Sequence, residues 1–267
     1  MIVILLASGK GGTGKTTTAV MLAMALNRYY GLKVSLLDLD TCGPNLPQVL
    51  ETQTGQTLQG EAFDENAFYA KRIGDDFEVF SPAFLMPDDV ACTWDGRKRQ
   101  DLIRELLLEV RWKHATILLC DCPPGTGDEI VSVLTYAGKV DGVIVVTTGS
   151  RASVDDAKRL VAMMRSPRFN VPILGVVENM GYRQEMNERG DVITTVRVFS
   201  DDIDYVAELG APILTRIVLT NNLTIEDFVP LATHIVQVYG LDPAIKTIPP
   251  AIIEQQVTNV EMKDHDQ

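Results

Sequence analysis

The chain has 267 residues, 46% hydrophobic and 22% charged. That suits one folded α/β unit and excludes disordered, collagen-like and low-complexity classes. Acidic side chains number 36 against 24 basic, a net charge of −12, so the average surface repels nucleic-acid backbones and anionic lipid. No nucleic-acid and no membrane partner is therefore expected. The densest basic group, Arg97, Lys98, Arg99 and Arg104, reads as the exposed face of one helix. Four cysteines are too few for a disulfide framework at this length. No apolar run approaches the roughly 18 residues of a spanning helix. The apolar start Ile2–Ala7 lacks the flanks of a signal peptide. A soluble cytoplasmic protein is the expectation.

In chain order, Ile2–Leu6 reads as a strand and Thr16–Tyr30 as a helix stopped by Gly31. A strand at Lys33–Leu37 follows. Glu51–Asp76 is polar and irregular, a surface excursion, and Glu78–Ser81 is a weaker strand. Next come a helix at Arg97–Val110, a strand at Thr116–Cys120, a helix at Asp128–Ala137 and a strand at Gly142–Thr147. Ser153–Arg165 is helical with Ser153 as its cap, and Ile173–Val177 is a strand. Tyr182–Phe199 reads as a hairpin turning at Asn187–Asp191, with Val192–Val198 as its returning strand. A helix at Asp202–Leu209, capped by Asp201 or Asp202, a weaker strand at Ile213–Val218 and a helix from Pro230 to Tyr239 complete the pattern. The strands are apolar on successive residues, as in sheets buried on both faces. The alternation predicts a mostly parallel sheet with helices on both faces. Residues 1–240 read as one domain and 241–267 as an acidic, loosely held tail.

One segment carries chemistry outright. Gly9-Lys10-Gly11-Gly12-Thr13-Gly14-Lys15-Thr16 fits G-x-x-x-x-G-K-[ST] between a strand and a helix. Glycines let successive N–H groups converge on phosphate oxygens at a helix N-terminus. Lys15 would reach the β and γ phosphates of ATP, and the Thr16 hydroxyl would ligate Mg²⁺. The binding segment runs from Gly9 through Thr17. Ile117–Asp121 is an apolar strand ending in a carboxylate suited to the same ion, and Asp38-Leu39-Asp40 places two acids after the second strand.

With its second lysine, Lys10, the loop resembles the deviant Walker A motif of the MinD/ParA/nitrogenase-iron-protein group. Asp121-Cys122-Pro123-Pro124-Gly125-Thr126-Gly127-Asp128 is similar to the Mrp/ApbC-type branch. So are the blocks at Gly43–Pro47, Phe84–Asp89, Trp94–Arg97 and Ile173–Gly181. The likeness is good over 1–181 and in register to about 235. It implies a P-loop fold, a nucleotide-dependent homodimer and ATPase activity. By the same resemblance Lys10 reaches the partner's nucleotide, Asp38 lies on the metal side, Asp40 positions the attacking water, and Asn179 lies against the adenine.

Two departures matter. Members of the branch that carry an iron–sulfur cluster have a Cys-x-x-Cys shortly after the segment that here ends at Gly181, whereas this chain has Tyr182–Asn187 without cysteine or histidine. Its cysteines are Cys42, Cys92, Cys120 and Cys122, so a dimer-bridging cluster would need another geometry. Alternation puts Cys120 and Cys122 on one face, next to the nucleotide. In place of the family's Ile-Pro-x-Asp stands Ile217-Val218-Leu219-Thr220. The expected function is an Mrp-type ATPase in iron–sulfur cluster assembly or transfer. The alternative is a metal-free MinD- or ParA-like switch or regulator of a protein client.

Overall fold

A computed structural model describes residues 1–63, 67–73, 77–85, 95–113, 115–187, 192–199, 203–220 and 223–241. The first half comprises β1 (Ile2–Ala7), α1 (Lys15–Tyr30), β2 (Val34–Asp38), α2 (Leu46–Thr54), β3 (Phe68–Tyr69), β4 (Lys71–Ile73) and β5 (Phe77–Phe80). Then come α3 (Gly96–Glu109), β6 (Val110–Arg111), β7 (Ile117–Asp121), α4 (Asp128–Tyr136) and β8 (Gly142–Thr147). The chain continues through α5 (Arg151–Met164), β9 (Ile173–Met186), β10 (Val192–Arg197), α6 (Tyr205–Leu209), β11 (Ile213–Leu219) and α7 (Val229–Val238).

The main sheet runs β10-β9-β8-β1-β7-β2-β5-β4, with β11 on the other flank of β9, while β3 and β6 pair separately. All its neighbours are parallel except β4 with β5 and β9 with β10. β2, β7 and β8 are buried at every residue, which is why β7 and β8 read as near-continuous apolar runs rather than alternating ones, while the buried Ser35 of β2 donates its hydroxyl to Glu78. One core layer packs α1, α2 and α7 on the sheet through residues such as Leu26, Leu50 and Ile235. The opposite layer packs α3 to α6 through Leu106, Val133, Leu160 and Leu209. The expected α/β architecture is the observed one.

Helix α1 explains the position of everything around the loop. Eleven of its 16 residues are buried, so it is an interior helix rather than a surface one. Its far end is tied to the C-terminal region by Tyr29 Oη donating to Glu226 (2.5 Å) and by Tyr30 Oη bonded to Thr233 Oγ1 (2.5 Å).

Several expectations need correction. The stretch from Glu51 is not wholly irregular, because α2 occupies its start and β3 and β4 its end. Only Leu46 and Leu50 of α2 are fully buried, a single i,i+4 pair with Val49 half-buried between them. The cap of α5 is Ser150, whose hydroxyl accepts from Ser153 N, and that of α6 is Asp204, accepting from Ala207 N. The hairpin forms, but its first strand is the continuation of the long β9. Residues 188–191 of its turn, Asp201, Asp202 and the tail from 242 lie outside the described residues.

Candidate functional site

β1 stands between β7 and β8, so the loop leaving its C-terminal end emerges where connections diverge to the two sides of the sheet. Strand register sets Leu6, Asp121 and Asp38 side by side at that edge. Gly9 lies close against the Asp156 backbone of α5. Gly11 and Gly12 form the exposed crest, and Thr13 and Lys15 are buried. Gly14 opens α1 at φ +85° and its carbonyl accepts from Thr18 N at 2.9 Å. Only glycine fits there, since a Cβ would also collide with Asn179 Nδ2. The loop is braced from outside by Gly125 N donating to Ser8 O (2.8 Å) and from inside by Ser8 Oγ donating to Lys10 O (2.7 Å). Lys15, the first residue of α1, is 7% exposed. Thr17 is half-buried beside it. The half-buried Lys10 ammonium has no partner among the described residues.

Behind the loop lies a cluster of acids. Thr16 Oγ1 donates to Asp121 Oδ2 at 2.5 Å, while Asp121 Oδ1 is buried with no partner. Burial pushes Asp121 up to about 6; the Asp40 charge adds to the rise, and Lys15 and the Thr16 hydroxyl oppose it. An orphaned buried carboxylate oxygen next to a hydroxyl is a donor set that a hard cation such as Mg²⁺ satisfies. Thr16 and Asp121 therefore fit the ion.

Asp38 does not fit it in the same way. It is closed to solvent, with Oδ1 accepting from Asp40 N (3.0 Å) and Oδ2 from Ser81 Oγ (2.8 Å) and Leu46 N (3.4 Å). Both oxygens are spent holding the loop between β2 and α2. Burial first, and then the neighbouring Asp121 charge, raise its pKa well above the carboxylate range. The metal-side role that the resemblance gives Asp38 thus meets a side chain engaged by its own fold. Asp40 is half-buried; its Oδ1 accepts from Cys42 N (3.1 Å) and Gly43 N (3.2 Å), and its Oδ2 has no partner among the described residues.

Asn179 is 9% exposed, with Nδ2 donating to Thr13 O at 2.9 Å. Sequence spacing gave no sign of this contact, nor of the Ser81 bond to Asp38. Cys120 and Cys122 do share one core layer. Both thiols are fully buried, and burial pushes Cys120 up to about 12, so they are protonated core residues. Cys42 is exposed and takes Arg99 Nη1 at 2.7 Å, while Arg99 also pairs with Glu129 at 3.4 Å. Arg99 is thereby turned inward, and the basic group on α3 is not one continuous patch. Cys92 lies outside the described residues.

A glycine-rich loop joining a buried parallel strand to a helix, with its terminal lysine and a threonine bonded to the neighbouring strand's carboxylate, defines a P-loop nucleotide-binding protein. The family model ParA, described as NUBPL iron-transfer P-loop NTPase, matches residues 1–232, and the chain belongs to that family. It is 40% identical over 178 residues to an iron-sulfur cluster carrier protein of Methanocaldococcus jannaschii, covering 66% of this chain and 59% of the relative. It is also 40% identical over 181 residues to the cytosolic Fe-S cluster assembly factor nubp2 of Danio rerio, covering 67% and 66%. The matched part is thus under two thirds of these relatives' length. Among solved structures, a nucleotide-binding protein of Archaeoglobus fulgidus in complex with ADP superposes with a TM-score of 0.61. It is 25% identical, with 92% of this chain and 93% of that one covered.

Proposed function

We propose that the protein binds ATP with Mg²⁺ at residues 9–17 and hydrolyses it slowly as a nucleotide-dependent homodimer in iron–sulfur cluster assembly or transfer. The carrying observation is the Lys15–Thr16–Asp121 constellation at the mouth of the β1 loop. Residues 1–240 form the nucleotide-binding unit in this reading. Loop N–H groups and the α1 N-terminus hold the phosphates, and Lys15 adds a buried cation to them. Thr16 and Asp121 would hold Mg²⁺, which supplies charge neutralisation for the transferring phosphoryl group. Asp40 orients the attacking water through its unengaged oxygen. Lys10, without a partner among the described residues, reaches the phosphates of the second copy, and Asn179 flanks the base.

The cluster task is supported by the names of the relatives, and the cluster is cargo in this reading. The segment Tyr182–Asn187 supplies no thiolate, so the chain contributes the nucleotide-driven part. Among the described residues no helix is long and apolar enough to cross a membrane, and a cytoplasmic setting is supported by the relatives named cytosolic assembly factors. A second reading, an ATP-dependent regulator of a protein client, is favoured by the hairpin, where Met186 is 53% and Ile193 67% exposed. Calorimetry tests the first step: Lys15→Ala should lose at least about a hundredfold in MgATP affinity through loss of the charge-assisted contact. Unchanged binding would remove the assignment. Iron and sulfide analysis after anaerobic reconstitution separates the two readings, a stoichiometric cluster favouring the first.

A further inference from the structure

The strand that carries Asn179 is broken immediately after it. Ile217 of β11 stands opposite Asn179, yet the next rung pairs Val218 with Tyr182, so Met180 and Gly181 are left over as a bulge. Met180 has φ +59°, a left-handed conformation that side chains other than glycine rarely adopt. The bulge is pinned from its far side by Glu178, a buried carboxylate that accepts from Arg216 Nε at 3.1 Å. A Cβ at Gly181 would stand 2.5 Å from Glu178 Oε1, so the carboxylate occupies the space that glycine leaves.

Asn179 is the last paired residue before the bulge, and its amide reaches the phosphate loop, where its bond falls on Thr13 O. That carbonyl belongs to the same planar peptide unit as the N–H of Gly14, and the two point in opposite directions. Fixing the carbonyl therefore fixes where the Gly14 N–H points. We infer that Asn179 is a positioning residue for the loop: by holding Thr13 O it aims the Gly14 N–H into the phosphate concavity, apart from any contact with a base. The Met180–Gly181 bulge is what brings the amide there. The inference rests on the nucleotide reading above and deepens it.

A ligand without a base separates the two roles. Binding of MgATP and of inorganic triphosphate with Mg²⁺ is measured by calorimetry on the full chain and on Asn179→Ala and Asn179→Leu. Leucine keeps the volume without the donor, so it serves if the alanine variant does not fold. Both variants should lose about tenfold in triphosphate affinity, as expected for a buried carbonyl left without its partner, and at least as much for ATP. Variants that bind triphosphate like the unaltered protein while losing ATP would show a base contact only and overturn the inference. A lowered melting temperature with unchanged triphosphate affinity would overturn it too. If the unaltered protein binds neither ligand, the nucleotide reading itself fails, and this inference with it. Met180→Gly should keep triphosphate affinity within about twofold, whereas Met180→Val, β-branched at positive φ, should lose severalfold. Equal binding by the valine variant would show that the bulge does not aim the amide.

Discussion

The two halves of β9 obey opposite rules. From Val176 to Asn179 the strand is buried, and its polar residues Glu178 and Asn179 are both engaged, by Arg216 and by the phosphate loop. Beyond the bulge, Arg183 to Met186 are exposed, and the returning β10 places Val192 and Ile193 in solvent as well. Polar groups inside and apolar groups outside are the informative departures from ordinary burial. The first kind marks where the molecule arranges charge; the second marks where it has surface to share. The loop end gathers buried polar groups, and the hairpin strands expose Met186, Val192 and Ile193 to solvent.

The sharpest way to break this contrast is to remove a charged group at the phosphate end and read binding and turnover separately. If Asp40 orients the attacking water as proposed, Asp40→Ala should leave ATP binding nearly intact while phosphate release slows by at least about a hundredfold. It should then accumulate as an ATP-bound dimer. Lys10→Ala should bind ATP and stay monomeric. Phosphate release beside light scattering reads both variants at once, and equal dimerisation by the two would make Lys10 a solvated loop cation.

At the other end, the strand pairing shows where the hairpin can be cut. Arg183 faces Val196, and β11 reaches no further along β9 than Arg183. Replacing Gln184–Thr195 with Asn-Gly keeps the Arg183–Val196 rung and therefore preserves the β9–β11 ladder. If the tip is a protein contact between copies, ATP-dependent dimerisation should weaken by about tenfold, with the melting temperature nearly unchanged. An unaltered dimer in sedimentation would leave the exposed apolar tip to another partner.

A last expected effect falls on stability rather than on binding, and concerns Asp121. Its folded pKa of about 6 lies above the usual carboxylate value, so the native chain binds more protons than the unfolded one between about pH 4 and 6. The stabilisation from this group is therefore present at low pH and lost as pH rises through 6. Asp121→Asn should raise the ligand-free stability at pH 7 by about 3 kcal/mol, with the gain vanishing below about pH 4. Thermal melts at both pH values check it. An equal gain at pH 4 and 7 would mean that the carboxylate's charge is not the cause.

Much of this was legible from residue order, because the phosphate loop and the inner strands are local patterns. The fully buried β8 starts and ends where its apolar run does. α2 was not legible, since its stability comes from Leu46 and Leu50 meeting a core built elsewhere, and its first N–H is taken by Asp38, eight residues back. The length of β9 was hidden for a related reason. Met180 and Gly181 interrupt its pattern, and the pairing that carries the strand past them belongs to β10 and β11. The engagement of Asp38 and the reach of Asn179 are contacts over 43 and 166 residues of separation, and no spacing rule covers them.

The interior placement of α1 has a consequence for time rather than for binding. A helix packed on nearly all sides can expose its amides only when most of the domain opens, so its hydrogen exchange should track global unfolding. The exposed crest at Gly11 and Gly12, a few residues upstream, can exchange through local fluctuation alone. The phosphate site is thus hinged between a slow half and a fast half. Under the proposed function, a bound ligand should therefore slow the exchange of Gly11 and Gly12 more than that of α1.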